Sequence, residues 1–338
     1  MGITANDLAK ACGVSRGTID RALNNRPGIN PETKEKILNT AKELEYKPDF
    51  LAKSLVTGKT MTIGVVVFDV YTRFFGRLVT SIETKAKEVG YFTYLTLTNK
   101  NCNEEKKCIE HLIERKVDGI ILCPINKGPD FDKFLDSLHV PVVTILNKVN
   151  NDIEYIGIND ESAVSEVVSY LKNGFHENIL YVSAPRSSKS DVNMYAVERR
   201  LQGFIDGCNT SDIVINEKNV IEDVDYIKIV LERMVGDNPP SAIICSNDIY
   251  ALELMKALKH KGFKIPEDVS LIGFDNIDEL DYVEPGLTTI SMPIDQIGTQ
   301  AINALLNIID GEVQPLEFIL KHKLIVRDSV GLYDKRKI

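Results

Sequence analysis

Apolar residues in the first sixty positions recur at helical spacing in three short runs; beyond them the pattern changes to solid apolar blocks separated by amphipathic stretches. Leu8, Ala9 and Cys12 make one helical face, with Thr4 and Asp7 placed as a capping pair at its start and Gly13 as its stop. Ser15 opens a second helix that turns Val14, Ile19, Ala22 and Leu23 inward and leaves Arg16, Gly17, Asp20 and Arg21 outside. After the turn NNRPG, Asn30 as N-cap and Pro31 at the first helical position start a third helix, with Ile37, Leu38, Ala41 and Leu44 at core spacing. The tight break between the first two helices predicts an all-α head of helix-turn-helix type.

Between the head and the apolar blocks lies a segment of odd composition. Asp49 after Pro48 can cap a short helix and Gly58 can end it, while Phe50, Leu51 and Leu55 are more apolar than a solvated tether needs. Strands are then predicted at 62–69, 91–97, 117–123 and 140–146, with an amphipathic helix near 75–89. A second series of strands is predicted at 154–158, 178–184, 241–245 and 269–274. Strands apolar on every position belong in a parallel sheet covered on both faces, so the expected class is an α/β domain of two doubly wound parallel-sheet lobes behind the helical head.

Charge sharpens this picture. The 338 residues carry a net charge of −9, which suits a DNA ligand poorly until the chain is divided: residues 1–60 hold 10 Lys/Arg against 7 Asp/Glu, and the rest hold 30 against 42. Affinity for phosphate is therefore expected of the head alone. The six cysteines have neither C-x-x-C spacing nor histidine neighbours, which predicts reduced thiols and no metal centre. No glycine-rich phosphate loop follows the first strand (VVVFDVYTRFFG), and the five histidines are widely spaced, which argues against a Rossmann-like enzyme and against any cofactor. The start runs straight into the first helix without an export signal, and no run is long and apolar enough to span a bilayer. A cytoplasmic, nucleoid-associated protein is the expectation.

Residues 3–60 resemble the DNA-binding segment of the lactose/galactose repressor (LacI/GalR) family: AKACGVS for the turn, TIDRALN for the recognition helix, and YKPDFLAKSLVTGKT for the hinge with its A-x-x-L core at Ala52 and Leu55. The resemblance continues through RKVDGIILCP, the CSND and PEDVSLIGFD runs, PGLTTISMP and LIVRDSV, and so covers almost the entire chain. It implies a periplasmic-binding-protein-like effector domain whose chain crosses between lobes near Ile158, Ile290 and Lys323. The implied division is a head at 1–47, a hinge at 48–60, lobe 1 at 61–158 and 291–322, and lobe 2 at 159–290 and 323–338. For DNA it implies contacts from Thr4, Ser15, Arg16, Gly17, Thr18, Asp20, Arg21 and Asn24, with Leu55 wedged into the minor groove from paired hinge helices. Asp20 replaces the family's usual small polar residue and is expected either to accept from a cytosine amino group or to set Arg16 by a salt bridge. Asp49 stands where asparagine is usual.

For the effector, Arg200 in RLQGF, Asn247 in SND and Asp275 in GFDN match polar cleft positions of the family. Each also has a local reading: Arg200 paired with Glu198 or Asp206, Asn247 capping the helix after it, Asp275 capping the helix after it. Asp69, Tyr71, Phe74 and Phe75 fall on the loop after the first strand. Asn159 stands in a D-N pattern that is reversed here, and with no tryptophan in the chain a stacking face is expected from Tyr71, Tyr195 or Tyr250.

These features predict a homodimeric repressor of a pseudopalindromic operator, switched by a polyhydroxylated ligand, most simply a carbohydrate. A corepressor-type regulator that takes a purine is the alternative. The tail after Ser329 is too short for a heptad coil. From the hinge match, Leu55→Ala is expected to weaken specific operator binding while sparing effector affinity of the free protein; operator affinity unchanged in fluorescence anisotropy would remove Leu55 from the mechanism.

Overall fold

The computed structural model describes residues 3–46, 54, 58–185, 192–312 and 315–333, so the hinge expectations at Ala52 and Leu55 lie outside the described residues. The chain divides into two compact units, Met1–Met61 and Thr62–Ile338.

In the first unit, α1 (Ala5–Cys12), α2 (Arg16–Leu23) and α3 (Pro31–Glu43) start at the expected caps. Thr4 and Asp7 cap each other reciprocally, Ser15 accepts from the Thr18 amide, and Asn30 accepts from the Glu32 amide ahead of Pro31. Gly13 ends α1 in the left-handed conformation at φ 69°, which lets the chain turn into α2. Leu8, Ala9, Cys12, Ile19, Ala22, Ile37 and Ala41 form the core, with Val14, Leu23 and Leu44 at its margin. Leu38, expected in that core, is 43% exposed. It lies one residue beyond Ile37, and a core this small accepts only one stripe of α3.

The second unit holds two six-stranded sheets. The first is ordered β11-β5-β4-β3-β1-β2 and is parallel throughout: β1 (Thr62–Val67), β2 (Phe92–Leu97), β3 (Gly119–Leu122), β4 (Val142–Ile145), β5 (Tyr155–Ile158) and β11 (Glu317–Leu320). The second is ordered β12-β10-β9-β8-β6-β7: β6 (Ile179–Val182), β7 (Val220–Ile221), β8 (Ala242–Cys245), β9 (Ser270–Asp275), β10 (Thr288–Ser291) and β12 (Lys323–Ile325), with β12 alone antiparallel to its neighbour. One reading of the pattern is corrected. The strand at 154–158, which the pattern alone read as the start of the second series and the resemblance put in lobe 1, lies in the first sheet, because Thr144 and Ile145 of β4 pair with Tyr155 and Ile156. A run of alternating strands and helices carries no mark of where the chain changes sheets. The changes fall after Ile158, after Ser291 and between Leu320 and Lys323.

Helices α4 (Arg73–Glu88), α5 (Cys102–Glu114), α6 (Pro129–Asp136) and α11 (Ile294–Ile309) cover the first sheet; α7 (Asp160–Asn173), α8 (Tyr195–Thr210), α9 (Tyr226–Met234) and α10 (Asp248–His260) cover the second. Helices α7 and α8 pack closely, and a Cβ on Gly203 would lie 2.2 Å from the carbonyl oxygen of Glu161. That contact is with backbone, so it cannot be relieved by a rotamer change. Gly203→Ala should destabilise the second unit by about 2 kcal/mol in urea unfolding; an unchanged midpoint would show that α7 and α8 can separate without loss.

Candidate functional site

The head presents its exposed face along α2. Arg16, Gly17, Asp20, Arg21 and Asn24 are exposed, as are Thr4 and Ser15, while Thr18 is half-buried with its hydroxyl 2.9 Å from that of Ser15. The ion pair of Asp20 goes to Arg26 at 3.2 Å rather than to Arg16, and Asn24 Nδ2 donates to Asp20 Oδ1 at 2.7 Å. Arg26 lies in the turn after the helix, and the one-turn reach of a carboxylate along a helix gave no hint of it.

In the second unit Arg200, in the second turn of α8, lies among residues at or just past the carboxyl ends of β5, β8, β9 and β10. Its Nε donates to Asp160 Oδ1 at 2.7 Å, and one Nη1 donates to the carbonyl of Ser246, just past β8, at 2.7 Å. Asp275, the last residue of β9, stands 3.7 Å from Nη1. The guanidinium carbon lies 3.5 Å from the ring centroid of Phe274, and Nη2 reaches the Met292 sulfur at 3.7 Å, beside the second crossing. Neither local reading of Arg200 holds. Glu198 pairs with Lys127, and Asp206 accepts from Gln202.

Asn159, expected at the ligand, caps α7 by accepting from the Ser162 amide, and the next residue, Asp160, is the one buried against Arg200. An acidic residue at the first helical position is routine helix chemistry, which is why its burial could not be read from sequence. Asn247 likewise caps α10 through the Tyr250 amide at 2.9 Å. Asp248 beside it was not anticipated. Fully buried, it accepts from the Thr289 hydroxyl at 2.6 Å and the Ile277 amide at 3.0 Å, and so holds the loop after β9. Gly273 makes room for it, since a Cβ there would lie 2.1 Å from Asp248 Oδ1. The held loop keeps Asp275 at φ 113° and Asn276 at φ 55°, both in the left-handed region, and a 3₁₀ turn begins only at Asp278 with Ile277 as its cap, so Asp275 caps nothing.

Burial pushes the Asp275 carboxyl up to about 8, against the pull of Arg200 and with added repulsion from Asp248 and Asp160. Burial also pushes Asp248 up to about 7, opposed by its hydrogen bonds from Thr289 and the loop amides, and raises Asp160 against the opposing charge of Arg200. Burial disfavours the charge of Arg200, but Asp160 and Asp275 more than offset it.

The first-lobe loop is mixed. Asp69 accepts from the Tyr71 amide at 3.1 Å, and the Tyr71 ring is 90% exposed, so it offers no enclosed stacking face. Phe75 packs with Phe68 and Phe74 at centroid distances of 5.3 and 5.2 Å, and Phe74 also packs against the core of the second lobe. Tyr250 is committed to Tyr226 in that core, whereas Tyr195 meets Tyr155 of the first lobe edge-on at 5.7 Å. The lobes also touch through Arg73 with Asp278 and Glu279, through the Asn193 amide to the Ile125 carbonyl at 2.6 Å, and through Asn193 Nδ2 to the Lys148 carbonyl at 3.0 Å. Arg73 is therefore paired across the cleft.

Among the described residues no helix is long and apolar enough to cross a membrane, and no group of three or more His, Cys, Asp or Glu is placed to hold a metal ion.

Comparison with known proteins matches residues 4–49 to bacterial regulatory proteins of the lacI family and residues 168–330 to a periplasmic binding protein-like domain. Catabolite control protein A of Priestia megaterium is 28% identical over 335 residues, covering 97% of this chain and 99% of its own. The HTH-type transcriptional repressor PurR of Vibrio cholerae serotype O1 is 30% identical over 334 residues, with 97% and 98% coverage. Among solved structures, the lac repressor dimer bound to operator and the anti-inducer ONPF superposes with a TM-score of 0.85 at 21% identity, covering 98% of this chain and 100% of that one. A periplasmic binding protein/LacI transcriptional regulator from Alkaliphilus metalliredigens, complexed with D-xylulofuranose, gives 0.69 at 29% identity, covering 80% and 99%. With a helix-turn-helix head, two parallel-sheet lobes and relatives aligned over nearly its whole length, the chain belongs to the lacI family of bacterial regulatory proteins and is a DNA-binding transcriptional regulator, not an enzyme.

Proposed function

We propose that this protein is a homodimeric repressor whose operator affinity is set by a small polyhydroxylated ligand, a sugar or sugar derivative, bound between the lobes. The observation that carries the reading is Arg200: a guanidinium fixed by Asp160 and the Ser246 carbonyl, with Nη2 held, among the described residues, only by a weak thioether contact and with Asp275 beside it. A fixed fork of donors next to a carboxyl that both accepts and, when protonated, donates is what vicinal hydroxyls require, and Phe274 supplies an apolar ring nearby. The Nδ2 of Asn247, whose Oδ1 is taken by the helix, is a further donor, and Asp69 a further acceptor. The 29% identical regulator complexed with D-xylulofuranose supports the carbohydrate class. The likeness to repressors named PurR keeps a purine corepressor as second reading, favoured by the ring cluster of Phe68, Phe74 and Phe75 at the mouth of the first lobe.

The head supplies the exposed face of α2, from Arg16 to Asn24 with Thr4 and Ser15 at helix starts, for one half-site. One such head buries little DNA, and two heads on half-sites about 34–36 Å apart explain tight binding. Exposed Phe92, Tyr94 and Leu95 on the edge strand β2, and exposed Tyr282, support pairing of two chains. Ligand binding changes how the lobes lie on each other, and with that the population of hinges able to pair on DNA.

Titrating sugars, sugar phosphates, polyols and purines into the complex of the protein with a selected operator tests the reading: release by a sugar supports it, and a response to purines alone moves the conclusion to the corepressor. Arg200→Ala should bind operator within about twofold of wild type yet lose the ligand response; a normal response would show that the cleft site is misplaced. A second test uses pH. Asp275 and Asp248 have folded pKa values raised to about 8 and about 7, so the folded state holds protons that the unfolded chain releases near pH 4, and the stability they contribute falls as pH rises through 7 to 9. Urea unfolding should give a lower midpoint at pH 9 than at pH 7, with a smaller drop in Asp275→Asn; an equal drop in that variant would contradict the burial of this carboxyl.

A further inference from the structure

The pairing inside the head assigns a role to a residue outside the recognition helix. An aspartate on a DNA-facing helix opposes the approach of phosphate unless its charge is directed elsewhere. In this chain Asp20 is engaged twice: Oδ1 accepts from Asn24 Nδ2 at 2.7 Å, and Oδ2 lies 3.2 Å from Arg26 Nη1. The backbone delivers Arg26 to this position. Asn25 takes the left-handed conformation at φ 52°, and the Arg26 amide then donates to the Arg21 carbonyl at 2.9 Å, folding the chain back over the end of α2. Arg26 remains 60% exposed, and among the described residues Asp20 is the only side chain that its guanidinium engages, so most of its five donors remain free.

Resting on the reading of α2 as the DNA-facing helix, we propose that Arg26 is a base-reading residue, that its target is the guanine of a G·C pair, and that Asp20 is its positioning residue. A planar guanidinium held on one side by a carboxylate presents its other edge as a preorganised pair of donors, which matches guanine O6 and N7. The same carboxylate disfavours a phosphate as the target, since the anion would then face Asp20 at close range, and it favours a base pair whose cytosine amino group offers a donor. Asp20 thus acts on DNA chiefly through Arg26, with Asn24 completing the brace.

The experiment uses the full-length protein, an operator selected by wild type from random duplexes, and every single-base-pair substitution of that operator, read by fluorescence anisotropy at several salt concentrations. Arg26→Ala should lose about fivefold to a hundredfold in affinity and lose discrimination at one G·C pair per half-site, leaving the other positions as selective as before. Asp20→Ala should relax the same pair only, bind random DNA more tightly, and add little to Arg26→Ala in the double variant. Additive effects of the two substitutions would overturn the positioning role. A uniform loss across all sequences with the salt slope reduced by about one would make Arg26 a phosphate contact and overturn the base-reading role. Circular dichroism of each variant separates these outcomes from loss of the head's fold, and Arg26→Lys, which keeps the charge without the fork, should fail to restore discrimination if the role is correct. Failure of wild type to select any site would instead overturn the DNA-facing assignment on which the inference rests.

Discussion

One buried cation organises the effector unit. Arg200 is taken almost wholly out of water, and a guanidinium in that position is tolerable only if its donors are matched and its charge is compensated. Asp160 supplies the close partner, the Ser246 carbonyl a second acceptor, the Phe274 ring a favourable face and Asp275 a second carboxyl a little farther off. These residues come from α7, β8 and β9, so the position of one side chain depends on the ends of several elements agreeing. Removing Asp160 leaves the buried guanidinium without its close ionic partner, which is more damaging than the loss of a surface pair.

The same arrangement fits the proposed switch. Asp160 follows the first crossing between the sheets and Met292 the second, so groups that contact Arg200 are also attached to the segments that connect the lobes. Across the cleft, Arg73, Phe74, Tyr155 and the carbonyls of Ile125 and Lys148 meet residues of the second lobe. A ligand that draws on Nη2 of Arg200 and on Asp275 competes with or adds to these contacts, and a difference in contact energy between two arrangements of the lobes is what a population shift requires.

Much of this was legible in the chain. Caps at Thr4, Ser15 and Asn30 and the stop at Gly13 are local chemistry, and local chemistry decides them. The fully apolar strands likewise announced a parallel sheet. What could not be read depends on distant parts of the chain. The strand at 155–158 looks alike whichever sheet it joins, and β7 and β12 are too short for periodicity to reveal. Asn159 and Asn247 are good helix caps by composition and act as such, while the adjoining Asp160 and Asp248, unremarkable as first-turn acids, are the buried groups. In the head, Asp20 was legible as a departure from the family pattern, but its partner Arg26 was not, since a turn rather than helix spacing brings the two together.

If ligand and operator address one shared equilibrium, as proposed, each must change the affinity for the other by the same factor. Operator affinity would be measured with and without saturating ligand, and ligand affinity with and without saturating operator, on the same preparation at one salt concentration. The two ratios should agree and fall in the range of about 5 to 150. Ligand that binds with equal affinity to the free and operator-bound protein would contradict it, because a ligand indifferent to DNA cannot control a repressor.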